Sequence, residues 1–206
     1  MSRRTDSLAF ARKLFNERGS HAVTTNHIAQ EADISVGNLY YHFRSKEEMI
    51  LALFDQLDEA WRTRLNVPDP SRVTWADLRS LMAEHFAIVW EFRFFYREQI
   101  TLRQNDRRLT RRWKLANQRG RDDMLSLLKS YFHCLGYAPP APTGLDRLAD
   151  ACWLVADFWL VHQEMRTGPV RRKDLDLGVE LFASIMRPLI ASLEARCPPR
   201  ERPDAH

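Results

Sequence analysis

Glycine is scarce, with 7 residues in a chain of 206, and none falls into a G-x-G-x-x-G or G-x-x-x-x-G-K-[ST] pattern. A dinucleotide-binding turn and a P-loop are therefore both excluded. Cysteine is scarcer still: Cys134, Cys152 and Cys197 are far apart and form no C-x-x-C pair. That spacing argues for a reducing compartment and against a disulfide framework. H-E-x-x-H and G-x-S-x-G are absent as well. Glu84 and His85 are adjacent and His162 and Glu164 are two apart. Neither spacing puts both groups on one helical face, as a bundle-held di-metal site needs. No metal, no cofactor and no enzymatic activity are expected.

Long apolar runs are missing too. The longest, Ala151 to Val161, is interrupted by Asp157 and is well short of the roughly 20 residues that span a bilayer. Arg3-Arg4 is followed by an amphipathic stretch carrying Asp6, Arg12 and Lys13, unlike the apolar core of an export signal. A cytoplasmic protein without membrane association is expected. Four of the 10 prolines (Pro139, Pro140, Pro142, Pro169) fall where loops are expected, so long helices are permitted.

What is present is helical periodicity. Leu8, Ala11, Leu14 and Phe15 recur at three- and four-residue intervals and Gly19 follows as a stop. Thr24 or Thr25 caps a second, short helix containing Ile28, Ala29 and Ala32, and Ser35 caps a third over Val36 to about His42. Ser45, with Glu48 at the capping-box position, opens a long fourth helix whose apolar set runs from Met49 to Leu65, ended by Pro68 and Pro70. Beyond it, Thr74 caps a helix rich in aromatics. Arg107 to Leu135 reads as one or two helices closed by Gly136 and a proline-rich loop, Ala138 to Pro142. Leu145 to about Arg166 is apolar nearly all round, so both its faces should be covered. A last helix, about Lys173 to Arg196, contains Pro188, which predicts a kink or local break. The reading is all-α, with about nine helices: a three-helix domain over residues 1–47, a helical bundle over 48–197, and a disordered tail over 198–206.

Two short helices joined at Asp33-Ile34-Ser35 have the proportions of a helix-turn-helix, whose second helix enters the DNA major groove. Asp33 tolerates the left-handed conformation that such a turn requires. The segment TTNHIAQEADISVGNLYYHFRSKEEMILALF resembles the DNA-binding signature of the TetR family of bacterial transcriptional regulators. The shared elements are Thr25, Ile28-Ala29, the I-S-x-G-x-L-Y-Y-H-F run from Ile34 to Phe43, and Ser45-Lys46-Glu47. Asp33 stands where the family usually has glycine. The resemblance implies that Thr25, Tyr41 and Lys46 position phosphates and that Val36, Gly37, Asn38 and Tyr40 face the groove. Thr24, His27, Ser35 and His42 complete the expected DNA-contacting set. The chemistry agrees: hydroxyls and an ammonium bond phosphate oxygens, Gly37 permits close approach, and Asn38 can donate to and accept from an adenine edge.

The same resemblance implies that the bundle binds a small-molecule effector and dimerises through its last two long helices, here at about 145–166 and 173–196. Residues offered for an effector pocket are the aromatics Phe92, Phe95, Tyr96, Trp113, Phe158 and Trp159, with His85, Gln99, Arg103 and His162 as polar anchors. Between Arg103 and Arg121 eight basic residues face Asp106 alone. That run is either a solvated face or a surface that steers DNA or an anionic ligand. The expectation is a homodimeric repressor, released from a palindromic operator in double-stranded DNA by a small molecule. An effector-independent architectural DNA binder and a helical-bundle enzyme are the alternatives.

Overall fold

A computed structural model of the chain describes residues 3–67, 69–136 and 142–196. The expected tail at 198–206, Cys197 and most of the expected loop at 138–142 lie outside them. Among the described residues there are nine α-helices and no strand: α1 (Arg3–Arg18), α2 (Thr25–Glu31), α3 (Val36–His42), α4 (Lys46–Arg64), α5 (Trp75–Glu91), α6 (Arg93–Asn105), α7 (Arg107–Cys134), α8 (Pro142–Thr167) and α9 (Asp176–Arg196). Short 3-10 turns occupy Pro70–Arg72 and Arg172–Asp174.

Helix limits follow local chemistry. Gly19, at φ +80, ends α1. The α2 cap is Thr24, whose side chain accepts from the His27 amide while His27 Nδ1 accepts from the Thr24 amide. Glu48 donates its amide to Ser45 and accepts the Arg44 amide, fixing the start of α4. Two expectations need correction. Pro142 is the first residue of α8 and not part of a loop, a position where its missing N–H costs nothing. Of the kink or local break expected at Pro188, the break does not occur, because α9 continues through it.

The chain packs as two units. Residues 1–63 and 88–116 form one; 64–87 and 117–206 form the other. The first therefore holds more than the three-helix domain expected at 1–47, because α6 and the ends of α5 and α7 belong to it. Its core is aromatic. Phe54 stacks on Trp113 at 5.1 Å and meets Phe95 edge-on at 5.7 Å, while Phe15 lies 5.2 Å from Phe94. Each such side chain fully buried contributes about 1.5–3 kcal/mol.

Helix α6 has no counterpart in the sequence reading. Its buried stripe is Phe95, Gln99 and Leu102, and the glutamine breaks the apolar signal. The chain interrupts its helix at Phe92, which offers no side-chain cap to α6. The cap comes from elsewhere: the buried Asn16 of α1 donates to the Glu91 carbonyl at 2.8 Å and accepts the Phe94 amide at 3.0 Å. One amide thus satisfies an orphan at each side of the break. Ser20 adds a second tie, its amide and hydroxyl both donating to Glu98.

In the second unit α8 and α9 pack together with parts of α5 and α7. Contacts there are close. A Cβ on Gly178 would stand 2.6 Å from Phe86, and one on Gly120 would stand 2.3 Å from Trp153. Both glycines allow a ring to lie against helix backbone. Arg121 bridges to Asp150 at 2.8 Å and Asp146 at 3.0 Å, which holds its guanidinium ionised.

Candidate nucleic-acid interface

The turn between α2 and α3 is closed by backbone geometry. The Ala32 amide returns to Ile28, Ile34 donates to the Ala29 carbonyl at 3.0 Å, and Asp33 sits at φ 51. It is the only non-glycine residue with positive φ among those described, the left-handed position that the sequence required of it. Ser35 then accepts the Asn38 amide at 3.1 Å and starts α3. Ile28, Ala29, Leu39 and Phe43 are buried beneath the pair.

At 100° per residue, Leu39 points inward and Gly37 and Tyr41 lie on the opposite face. Exposure agrees: Tyr41 is 85% and Tyr40 47% exposed, so neither tyrosine is spent on the core. Gly37 is open to solvent, and a Cβ built on it would meet only Ser35 Oγ, at 4.0 Å. Asn38 and Val36 flank that face, half-buried. Tyr40 also lies 3.3 Å from Thr25, hydroxyl to hydroxyl, linking a groove candidate to a phosphate candidate. The Tyr41 and His42 rings meet edge to face at 5.2 Å.

Other expected contacts carry structural tasks. His27 serves the α2 capping box. Lys46 donates to the Ser20 carbonyl at 2.7 Å and the Val23 carbonyl at 3.1 Å, tying the start of α4 to the loop before α2. One of its three ammonium donors remains for a phosphate. Thr24 and Ser35 are exposed caps, and Thr25 and His42 are half-buried. Arg44 is not among the residues that the sequence reading offers. It is exposed, between the end of α3 and the Ser45 cap, and among the described residues its side chain has no ion pair. A cation directly after α3 was the available signal.

The expected effector residues divide between the two units. Phe92, Phe95, Tyr96, Gln99, Arg103 and Trp113 belong to the first unit; His85, Phe158, Trp159 and His162 belong to the second. Phe95 and Trp113 pack into the first unit's core, and Phe92 lies under the Arg12 guanidinium at 4.8 Å. Tyr96 and Gln99 are buried, and Arg103 is exposed. In the second unit His85 is buried, donating from Nε2 to the Ala156 carbonyl at 3.0 Å. Burial pushes its pKa down to about 4. Trp153, 6.5 Å from that ring, keeps a buried indole N–H that finds no acceptor among the described residues. Trp159 is buried against Phe86, whereas Phe158 and His162 are exposed. Phe158 shares its exposed stripe with Leu154 and Met165 on α8. Among the described residues no group of His, Cys, Asp and Glu is placed to hold a metal ion, and no helix is long and apolar enough to cross a membrane.

Two family models match the chain. One, described as bacterial regulatory proteins of the tetR family, matches residues 8–53, and one described as bacterial transcriptional repressor matches residues 56–195. Among curated relatives, the HTH-type transcriptional repressor KstR2 of Mycobacterium tuberculosis is 51% identical over 49 residues, 24% of either chain. The HTH-type transcriptional regulator QacR of Staphylococcus aureus is 38% identical over 55 residues, 27% of this chain and 29% of that one. The chain thus spans under a third of the length of these relatives. A solved TetR-family transcriptional regulator from Marinobacter aquaeolei VT8 superposes with a TM-score of 0.84 at 26% identity, covering 91% of both chains.

Proposed function

The chain belongs to the TetR family of bacterial transcriptional regulators, and from that premise we propose that it is a homodimeric repressor reading a palindromic operator through α3. The observation that carries this reading is the outward face of α3, where Gly37, Tyr40 and Tyr41 stand exposed on a capped, rigid turn. Gly37, Asn38 and Tyr40 read base edges; Thr25, Tyr41, Lys46 and Arg44 grip phosphates. The site of action is the cytoplasm. Genome-wide mapping of bound sites tests the reading, and a lack of palindromic enrichment among them would count against it.

Dimerisation is assigned to α8 and α9. Leu154, Phe158 and Met165 on α8 and Leu177 and Leu181 on α9 are large apolar side chains left 41–83% exposed. Stripes of this kind mark protein contacts, and a two-fold axis needs only one self-complementary patch. Regulation by a small molecule is proposed by analogy with the family. The unsatisfied Trp153 N–H beside His85 supports an effector carrying a hydrogen-bond acceptor, bound in the second unit. Effector binding would alter the spacing of the two reading helices. Moving such an equilibrium from 99:1 to 1:99 needs about 10⁴-fold preference for the released state. Operator affinity measured with and without an effector found by thermal-shift screening decides the allosteric part.

A further inference from the structure

The basic run between Arg103 and Arg121 separates into two parts. Arg121 is spent on Asp146 and Asp150 in the second unit. In the first unit, Arg108 pairs with Asp106 at 3.0 Å and Arg112 with Asp55. Arg103, Arg107, Arg111 and Lys114 are exposed, and among the described residues none of these four has an ion pair.

Their geometry is fixed by a corner one residue long. Asp106 ends α6, its amide donating to Leu102, and starts α7, its carboxylate accepting the Arg108 amide at 2.7 Å and the Leu109 amide at 3.4 Å. The Thr110 hydroxyl donates back to the Arg103 carbonyl across the corner. Leu109, Trp113 and Ala116 are buried on α7. At 100° per residue, Arg107, Arg111 and Lys114 fall together on the opposite side. Three cations thus share one edge of α7, with Arg103 across the corner near the end of α6.

That edge lies level with the DNA-reading end of the same unit. The Arg108 guanidinium is held charged first by its bond to Asp106 and, more weakly, by the Glu48 and Glu47 carboxylates at the start of α4. One turn along α7, Arg112 meets Asp55, further along α4, and Trp113 stacks on Phe54. The beginning of α7 therefore accompanies the beginning of α4, which directly follows α3. Two of the nearby acids are matched by other cations: Asp106 pairs with Arg108 and Asp55 with Arg112, so neither is paired with Arg103, Arg107, Arg111 or Lys114. Two arginines in the first turn of α7 run against the helix dipole, an arrangement that an anionic partner would relieve.

We propose that Arg103, Arg107, Arg111 and Lys114 form a second phosphate-gripping surface, which engages duplex DNA flanking the groove read by α3. The proposal rests on the DNA-binding reading and extends the footprint beyond the helix-turn-helix. It adds affinity without sequence preference, since phosphates carry no base information.

The test is binding of the full chain to a fluorescent 40-base-pair duplex of mixed sequence across a salt series. Wild type is compared with the R107Q/R111Q/K114Q variant and with R107K/R111K/K114R. Each lost phosphate contact lowers the slope of log affinity against log salt by about 0.9. The glutamine variant should therefore show a slope shallower by about 2–3 per engaged corner and at least tenfold weaker binding at low salt. The charge-preserving variant should keep the wild-type slope. A glutamine variant with wild-type slope overturns the proposal while leaving the DNA-binding reading intact. Weaker binding without a change in slope also overturns it. If wild type binds no duplex at low salt, the DNA-binding reading fails and this surface fails with it. Melting by circular dichroism checks that the variants are folded.

Discussion

At position 37 a helix that could hold any small residue holds glycine, although its backbone is ordinary and the space above it is empty. Neither strain nor crowding requires it, so the requirement comes from what approaches. Replacing Gly37 by Ala should stabilise the fold by about 0.5–1 kcal/mol and weaken operator binding at least tenfold. Paired urea melts and anisotropy titrations would separate the two effects. His85 behaves differently. Its folded pKa is depressed to about 4 from 6.5, so the unfolded chain takes up a proton first as pH falls. The stability that this neutral histidine contributes is complete above pH 6.5 and is lost progressively toward pH 4. The loss is on the order of 3 kcal/mol. In urea melts at several pH values, His85→Gln should flatten that dependence. Burial also pushes the Cys152 thiol up to about 12, leaving it inert where the exposed Cys134 would react with a thiol reagent.

Elements were legible where their signals are local. Thr24 and Ser35 cap α2 and α3 through side-chain bonds only three residues long, and Asp33 carries its turn alone. Helix α6 was not, because its stripe passes through the buried Gln99 and its cap, Asn16, comes from another helix. Which of the pocket aromatics share a unit was not legible for the same reason. Helical spacing marks Phe95 and Trp159 equally as buried, and only long-range packing assigns them to different units. For α8, read from the sequence as covered on both faces, Ala149, Cys152, Ala156 and Trp159 face the core, while Leu154, Phe158 and Met165 are exposed. If that outer stripe meets a second copy, Leu154→Glu with Phe158→Glu should convert the dimer to a folded monomer. Light scattering coupled to size exclusion would show a halved mass, with helical content unchanged by circular dichroism. Retention of the dimer would place the interface elsewhere.

At the scale of the whole molecule, the first unit joins helices from both sides of the sequence boundary expected at residue 47. Asn16 is its most economical joint, serving Glu91 and Phe94 with one side chain and accepting the Arg97 guanidinium on its own carbonyl at 3.0 Å. Asn16→Ala removes both of these side-chain bonds and leaves the buried Phe94 amide without its side-chain acceptor, and should cost about 1–3 kcal/mol. Chemical denaturation would measure it, and Asn16→Asp, which still accepts from Phe94 but cannot donate to Glu91, should fall between alanine and wild type.

The shared core of α1, α4, α6 and the first half of α7 has a practical consequence for anyone wishing to transplant the reading helix. A fragment cut after residue 47 would carry α3 intact but leave Phe15 without Phe94, Asn16 without its two backbone partners, and Ser20 without Glu98. The smallest portable DNA reader from this protein is a discontinuous one, to be excised by circular permutation or by bridging residues 63 and 88, and not by a stop codon.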